Sequence, residues 1–133
     1  MTVDAERLIS AWLRAQPEII EIVGDRVYTE PPQRARALFP FLRIQQIGGT
    51  PVHSRPLYLD EAYLQFDCYG GPKVIARRLM DTTRGLIAHR LIGSHDLGVI
   101  TGCEFRDARY LPDDEYDPAQ PRWIFDVSVY SHP

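Results

Sequence analysis

Three stretches of the chain alternate apolar and polar residues at every second position, whereas a longer stretch repeats its apolar residues with the period of an α-helix. The alternating stretches are residues 58–69, a stretch after Gly93 and a stretch near the C-terminal end. The residues predicted to face inwards are Ala62, Leu64, Phe66 and Cys68, then Val99, Thr101, Cys103 and Phe105, and then Trp123, Phe125, Val127 and Val129. The helical stretch covers residues 73–91, and its apolar stripe is formed by Val74, Ile75, Leu79, Met80, Leu86, Ile87 and Leu91. A chain that must satisfy both periods is expected to adopt an α+β fold.

The N-terminal part of the chain predicts shorter elements. Asp4 is placed to cap a first helix that ends before Pro17, and a short second helix follows with Gly24 just past its end. Residues 26–29 fit a short strand. Residues 30–40 have no regular period and contain prolines and arginines, which is typical of a loop.

Glycine and proline divide the middle of the chain. A strand over residues 41–47 is expected to break at residues 48–51 and to pair with the next strand, and a protruding hairpin loop over residues 47–57 is expected to join the two. Gly85 is expected to mark a close crossing of the long helix with the sheet. The order of elements predicts an antiparallel β-sheet with helices packed on one face, a two-layer sandwich, in one domain covering residues 1–133.

Composition excludes several classes of function. The 133 residues carry a formal net charge of -3 at pH 7, which argues against a domain that coats nucleic acid, because such domains carry a large basic surplus. No apolar stretch approaches the length of a membrane span, so we expect no membrane partner. Cys68 and Cys103 are expected to be free, reduced thiols, with a disulfide between them as the alternative.

The sequence offers few groups for catalysis. Motifs for phosphate, dinucleotide and zinc-protease sites are absent, and the four histidines have no metal-ligand spacing. Ser94, His95 and Asp96 include the residue types of a catalytic triad, but neighbours on an extended segment point apart, which favours a polar turn. We therefore expect no enzymatic activity and no bound cofactor or metal.

The densest group of carboxylates lies in a predicted turn before the last strand, and it comprises Asp113, Asp114, Glu115 and Asp117. The spacing of three of them is that of the start of a calcium-binding loop. The match then fails, because the required glycine is missing and Ile124 occupies the place of the bidentate acid. A solvated turn is the favoured interpretation, and weak divalent binding between copies of an oligomer is the alternative.

The long helix carries the opposite charge. Its basic residues are Lys73, Arg77, Arg78, Arg84 and Arg90, against one acidic residue, Asp81. A basic face on an otherwise acidic chain suits head-to-tail association of identical copies or an anionic partner, and a solvated outer face is the alternative. The hypothesis that follows is that this helix meets the acidic turn of a neighbouring copy or of the tube protein.

One face of a predicted strand has a mixed character. Tyr63 and Tyr69 share that face with Gln65 and Asp67, on the opposite side from Phe66. Such a face fits a subunit contact, because tyrosine is favoured at interfaces, or a partly hydrated outer face of the sheet.

Taken in order along the chain, short segments resemble the tail terminator, or tail-completion, proteins of long-tailed phages. The segments are Val23-Gly24-Asp25-Arg26-Val27-Tyr28, Phe39-Pro40-Phe41-Leu42-Arg43-Ile44, Leu64-Gln65-Phe66-Asp67-Cys68-Tyr69-Gly70, Ala76-Arg77-Arg78-Leu79 and Trp123-Ile124-Phe125-Asp126-Val127-Ser128-Val129-Tyr130. The resemblance covers nearly the full length. It implies an α+β structural subunit that assembles as a hexameric ring on the end of the tail tube, stops polymerisation of the tube protein and presents a surface to the head-side connector or stopper protein.

The resemblance also implies a location at the neck end of a virion tail, assembly in the host cytoplasm and passage of DNA through the ring without specific binding. Another neck component, such as a head-closure or adaptor protein, is the first alternative, and a small α+β enzyme or ligand-binding domain is the second. The candidate contact residues come from this sequence itself: Arg34, Arg36 and His53 in projecting loops, Arg77, Arg78 and Arg84 on the long helix, and Asp113, Asp114, Glu115 and Asp117 in the acidic turn.

Overall fold

The computed structural model describes the backbone of residues 3–54 and 57–133, and the side chains of residues 3–49 and 59–133. The helices of this part of the chain are α1 (Ala5–Arg14), α2 (Pro17–Val23) and α3 (Lys73–Arg90), with a short 3-10 turn at Arg34–Arg36. The strands are β1 (Val27–Tyr28), β2 (Phe41–Ser54), β3 (Leu57–Tyr69), β4 (Gly93–His95), β5 (Gly98–Tyr110) and β6 (Arg122–His132). None of the described helices combines the length and the apolar character that a membrane span requires.

The strands form one sheet in the order β1-β2-β3-β6-β5-β4. The prediction of an α+β fold is confirmed. The prediction of a wholly antiparallel sheet is wrong at one edge, because β1 pairs with β2 in parallel. Buried residues of all three helices share one hydrophobic core with one face of the sheet. The finer description as a two-layer sandwich stays a prediction.

Helix α1 begins as predicted and covers one edge of the sheet. The Asp4 carboxylate accepts a hydrogen bond from the backbone N–H of Arg7 at 3.1 Å, which satisfies one of the free donors of the first turn. Arg14 donates to the backbone carbonyl of Val27 in β1 at 2.7 Å. Glu6 accepts from the backbone N–H of Gln46 in β2 at 2.8 Å. Side chains of α1 therefore pair backbone groups that β1 and β2 leave free.

The predicted break at residues 48–51 is wrong, and so is the loop conformation predicted for residues 47–54, whereas residues 55–56 lie outside the described residues. Strand β2 continues past the two glycines, and its pairing with β3 extends to Ser54 opposite Leu57. The glycines are accommodated by a β-bulge between Gln46 and Gly48, because one extra residue on a single strand shifts the register without ending the ladder. The predicted pairing of the two strands as a protruding hairpin is thus confirmed, and the paired part is longer than predicted.

Strand β5 contains two bulges that sequence periodicity does not show. They lie between Ile100 and Gly102 and between Phe105 and Ala108. The first bulge reverses the alternation, so Ile100 is buried and Thr101 is exposed, in contrast to the predicted inward set. The alternation predicted for β3 and β6 is confirmed, and the rings of Phe66 and Phe125 stack with centroids 4.6 Å apart.

Helix α3 has nearly its predicted bounds, and its buried residues are Ala76, Leu79, Met80, Thr83, Leu86 and Ile87. The prediction that Val74 belongs to the stripe is wrong: it is 71% exposed, because it lies outside the i, i+3, i+4, i+7 set that faces the sheet. Thr83 fills an apolar position because its hydroxyl donates to the backbone carbonyl of Leu79 at 2.8 Å. The predicted close crossing at Gly85 is wrong, since a Cβ built there would meet no neighbouring atom within 4 Å.

Replacing Gly85 with alanine should therefore stabilise the protein by about 1 kcal/mol, because alanine has the higher helix propensity and the added methyl group meets no obstacle. Urea unfolding of the two proteins at pH 7 measures the difference. A loss of stability would mean that the glycine is needed for a close approach after all.

Candidate assembly surfaces

The proline-rich loop and the acidic turn are far apart in sequence but meet at one end of the sheet. Residues 30–40 and 111–121 are together called the loop–turn surface below. Arg34 and Glu115 join its two halves, with Nη2 and Oε2 2.9 Å apart. Both side chains are more than half exposed, so this pair contributes at most about 1 kcal/mol. The structure thus brings together two groups that the sequence predicted as contact candidates.

Asp113 is the buried anchor of the acidic turn. The Tyr69 hydroxyl donates to Asp113 Oδ2 at 2.7 Å, and the backbone N–H of Glu115 donates to Oδ1 at 3.1 Å. Arg122 Nη1 lies 3.6 Å from Oδ2. Burial opposes ionisation of Asp113, but these hydrogen bonds and the Arg122 charge outweigh it and lower the pKa of Asp113. Burial is the main cause that raises the pKa of the Tyr69 hydroxyl, and the hydrogen bond to the Asp113 carboxylate raises it further.

Four aromatic side chains attach the loop–turn surface to the sheet. Phe41 and Tyr69 stack with ring centroids 4.3 Å apart. The ring of Phe39, from the loop, lies 5.4 Å from that of Phe41 and 5.4 Å from that of Tyr116, from the turn. A cavity of about 150 Å³ remains between the loop and the turn, with Arg34 and the anchored carboxylates in its wall. Loop and turn are therefore held as one unit.

The first turns of α3 place basic groups close to this end of the sheet. Arg77 pairs with Asp81 at 3.1 Å, and Arg78 pairs with Glu21 of α2 at 3.2 Å. All four side chains are more than half exposed. The two arginines singled out by the sequence thus have partners within the chain. Because such exposed ion pairs contribute little free energy, either arginine can give up its partner for one on another molecule.

Three cations of α3 lie over aromatic rings of β5 and β6. The pairs are Lys73 with Tyr110, Arg77 with Trp123 and Arg84 with Phe105, at 4.4, 5.0 and 5.5 Å from the ring centroids. Each such contact contributes roughly 0.5–1 kcal/mol at an exposed site. These contacts fix the direction of the basic side chains, a role that the charge pattern of the sequence did not predict.

Several candidate residues have no ion pair among the described side chains. Arg36 and Arg84 lie within 4 Å of no described carboxylate, and Asp114 and Asp117 lie near no described cation. Both acids are exposed in the turn. His53 lies near the distal end of β2, and its side chain is outside the described set.

The polar face of β3 contains a buried carboxylate. Gln65 donates to Asp67 Oδ1 at 2.9 Å, and Arg43 Nη1 lies 3.6 Å from Oδ2. Asp67 is 1% exposed. Burial raises the pKa of Asp67 despite these partners. The predicted grouping of Tyr63, Gln65 and Asp67 on one face fits the register of β3 with its neighbours.

Replacing Asp67 with asparagine should stabilise the protein at pH 7. The pKa of Asp67 is raised in the folded state, so its favourable contribution is present below the unfolded pKa and is lost as the pH rises through the folded pKa. Asparagine keeps the shape and removes the buried charge. Urea unfolding should show a gain at pH 7 that shrinks towards pH 3, whereas a loss at pH 7 would mean that the Arg43 pair outweighs burial.

Other chemically reactive groups do not converge among the described side chains. The ring of His95 is engaged with the backbone carbonyl of Leu91 at 2.7 Å, while Ser94 and Asp96 point to solvent as exposed residues. No described group of three or more His, Cys, Asp or Glu residues is arranged to hold a metal ion. Cys68 and Cys103 are free thiols, as predicted, and burial raises the pKa of each.

Residues 7–130 match the family described as tail completion protein gp17. The chain belongs to this family. The predicted resemblance to tail-completion proteins is confirmed, and the chain is a structural protein of a virion tail. No curated protein has a sequence that matches this chain.

Solved structures of other proteins share the fold of this tail completion protein, among them the following two. One is a chain of the virion of a native gene transfer agent particle, with a TM-score of 0.74 and 12% sequence identity, over 97% of this chain and 95% of the other. The other is the gp17 protein of bacteriophage SPP1, with a TM-score of 0.53 and 15% identity, over 97% of this chain and 91% of the other. At these identities the likeness shows a common fold.

Proposed function

We propose that this tail completion protein forms a ring on the end of the tail tube, stops polymerisation of the tube protein and provides the attachment surface for the head-side connector. The observation that carries the proposal is the family match over residues 7–130. In the virion the ring is hexameric. DNA passes through it without specific binding, so we expect the wall of the channel to avoid a strong positive charge that would hold phosphates.

The two ends of the sheet are suited to the two axial contacts of such a ring. Phe41 pairs with Tyr69 at the end that holds the loop–turn surface, and Ser54 pairs with Leu57 at the other end, in the projecting hairpin. A ring subunit needs one surface for its neighbours and separate surfaces along the axis. The proline-rich loop of residues 30–40 and the hairpin, which includes His53, supply two such axial surfaces, and the acidic turn is left for the contact between neighbours.

Charge supports a lateral contact at the level of the loop–turn surface. Lys73 and Arg77 lie over Tyr110 and Trp123, so the basic start of α3 is level with the strand ends from which the acidic turn emerges. Asp114 is exposed in that turn. We therefore assign the contact between neighbours to the basic residues of α3 in one copy and the acidic turn of the next.

Deleting the gene from the phage or prophage that encodes it tests the proposed function. Negative-stain electron microscopy of the lysate should show overlong tail tubes detached from filled heads, and supplying the natural chain in trans should restore tails of defined length. Tails of normal length beside heads that have lost their DNA would instead identify a head-closure protein, the alternative neck component.

A further inference from the structure

The outer edge of β5 is largely without a partner strand. On its inner side β5 pairs with β6, but on its outer side β4 covers Gly98–Ile100 alone among the described residues. Beyond that point no described strand pairs with the outer side of residues 101–110. The bulges of β5 divide this edge into two regular stretches, Gly102–Phe105 and Ala108–Tyr110. Open strand edges of this kind are pairing sites for another strand.

The outer edge of β2 is open as well. Strand β1 pairs with Leu42 and Arg43, and Glu6 of α1 occupies the N–H of Gln46. From Gly48 to the end of β2, no described strand pairs with the outer side. The sheet therefore has two open edges on opposite sides.

The two edges lie at the same level of the sheet. Gly48 pairs with Tyr63, Tyr63 pairs with Ser128, and Ser128 pairs with Glu104. One row across four strands thus joins the open stretch of β2 to the open stretch of β5. Each of the three pairings in that row is antiparallel, so β2 and β5 run in opposite directions.

We infer that the open edge of β5 in one copy pairs with the open edge of β2 in the next copy, with Glu104 close to Gly48. The inference rests on the proposed ring. Because the edges run in opposite directions, this contact continues the antiparallel ladder from copy to copy. Because they lie at one level, the contact needs no axial shift between copies, which is what a closed ring requires.

A second copy fits these edges better than an unrelated strand. The chain supplies both halves of the pairing, and a head-to-tail contact uses each half once. Gly48 has no side chain to obstruct a strand that approaches this edge. Glu104, opposite, is exposed, and its carboxylate accepts a hydrogen bond from the Tyr130 hydroxyl at 3.2 Å. Pairing over the stretch between the bulges fixes the register.

The inference is tested with a pair of cysteines. The variant carries Gly48→Cys and Glu104→Cys in a chain whose Cys103 is replaced by serine. A Cβ at Gly48 would lie 3.8 Å from its nearest neighbour, in ordinary contact, so the substitution is tolerated. The variant is assembled on tubes of the tail tube protein of the same phage, treated with a short bis-maleimide, which forms a thioether with each of two thiols, and run on a denaturing gel. We expect a ladder of covalent multimers that ends at the full ring.

Each single cysteine variant should run as a monomer on the gel after assembly and treatment, because a head-to-tail contact does not bring the introduced cysteine next to the same cysteine of another copy. The matched control keeps Glu104→Cys and adds Ala88→Cys, on the exposed side of α3, and should form no ladder. Tubes that carry the ring on their end are called capped. Capped tubes that show no more cross-linking than this control would overturn the inference and leave the ring proposal intact. Dimers of the Glu104→Cys variant alone would overturn it in favour of two β5 edges pairing together. If the natural chain leaves the tubes uncapped, the ring proposal is wrong, and the proposed pairing of edges is wrong with it.

A charge exchange gives a second readout that does not depend on cysteine. Gly48→Glu places two carboxylates across the proposed contact and should weaken capping by up to about fivefold for each contact. Glu104→Lys added to Gly48→Glu places opposite charges across the contact and should restore capping. Failure of the second substitution to restore capping would count against the proximity of the two positions.

Discussion

Replacing Asp113 with alanine should lower the free energy of unfolding by about 2–3 kcal/mol, because the change leaves a buried hydroxyl without its acceptor and a largely buried cation without its carboxylate. The Tyr69 hydroxyl loses a bond of 2.7 Å, and Arg122, whose side chain is 16% exposed, loses its carboxylate. The backbone N–H of Glu115 loses its acceptor as well. Urea unfolding at pH 7 measures the effect.

Asp114 provides the matched control for this prediction. It is the next residue of the same turn, is exposed and has no described ion pair, so Asp114→Ala should change the stability by less than about 0.5 kcal/mol. The pKa of Asp113 is lowered in the folded state, so its contribution is present above the unfolded pKa and is lost as the pH falls through the folded pKa. The penalty of Asp113→Asn should accordingly shrink as the pH falls below the ordinary aspartate pKa of about 3.9. Equal penalties for Asp113→Ala and Asp114→Ala would contradict the anchoring role.

Elements with an uninterrupted period were predictable from the sequence. The apolar stripe through Leu79 and Leu86 correctly predicted helix α3, and the alternation around Phe66 and Phe125 correctly predicted β3 and β6. The inward residues predicted for β5 are wrong in part, because a bulge shifts the alternation by one residue while leaving both halves apolar enough to resemble a regular strand. The bulge before Gly48 also made the sequence-based prediction wrong. Glycines usually end a strand, but here β2 continues through them because β3 pairs with it on both sides of the bulge.

The candidate surfaces were predictable in composition but not in arrangement. The sequence identifies Arg34 and the acidic turn as charged groups, yet 81 positions separate Arg34 from Glu115, and no local pattern shows that they meet. It also gives no sign that Asp113 is buried while Asp114 is exposed, since this depends on Tyr69 reaching the turn from β3. The open edge at Glu104 follows from the strand order, which periodicity does not encode.

Reversing Arg77 and Arg78 to glutamate should abolish assembly on the tail tube while leaving the circular dichroism spectrum unchanged. The change removes two positive charges from the start of α3 and places negative charges opposite the acidic turn of the neighbour, where like charges repel. The intramolecular partners Asp81 and Glu21 are exposed, so losing these pairs costs at most about 1 kcal/mol each. The fraction of capped tubes in negative-stain images measures the result.

The same contact predicts a rescue that a loss of stability cannot produce. Adding Asp114→Lys and Asp117→Lys to the reversed chain restores opposite charges across the interface without touching the Arg34–Glu115 pair, and should return capping. Both acids lack a described partner, so the lysines break no bond within the chain. Capping by the Arg77→Glu, Arg78→Glu chain at the natural level would remove α3 from the interface. Loss of capping without rescue would keep α3 at the interface but assign its partner to a surface other than the acidic turn. The contact between copies would then be formed by the open edge of β5 beside Arg84, and the acidic turn would take no part in it.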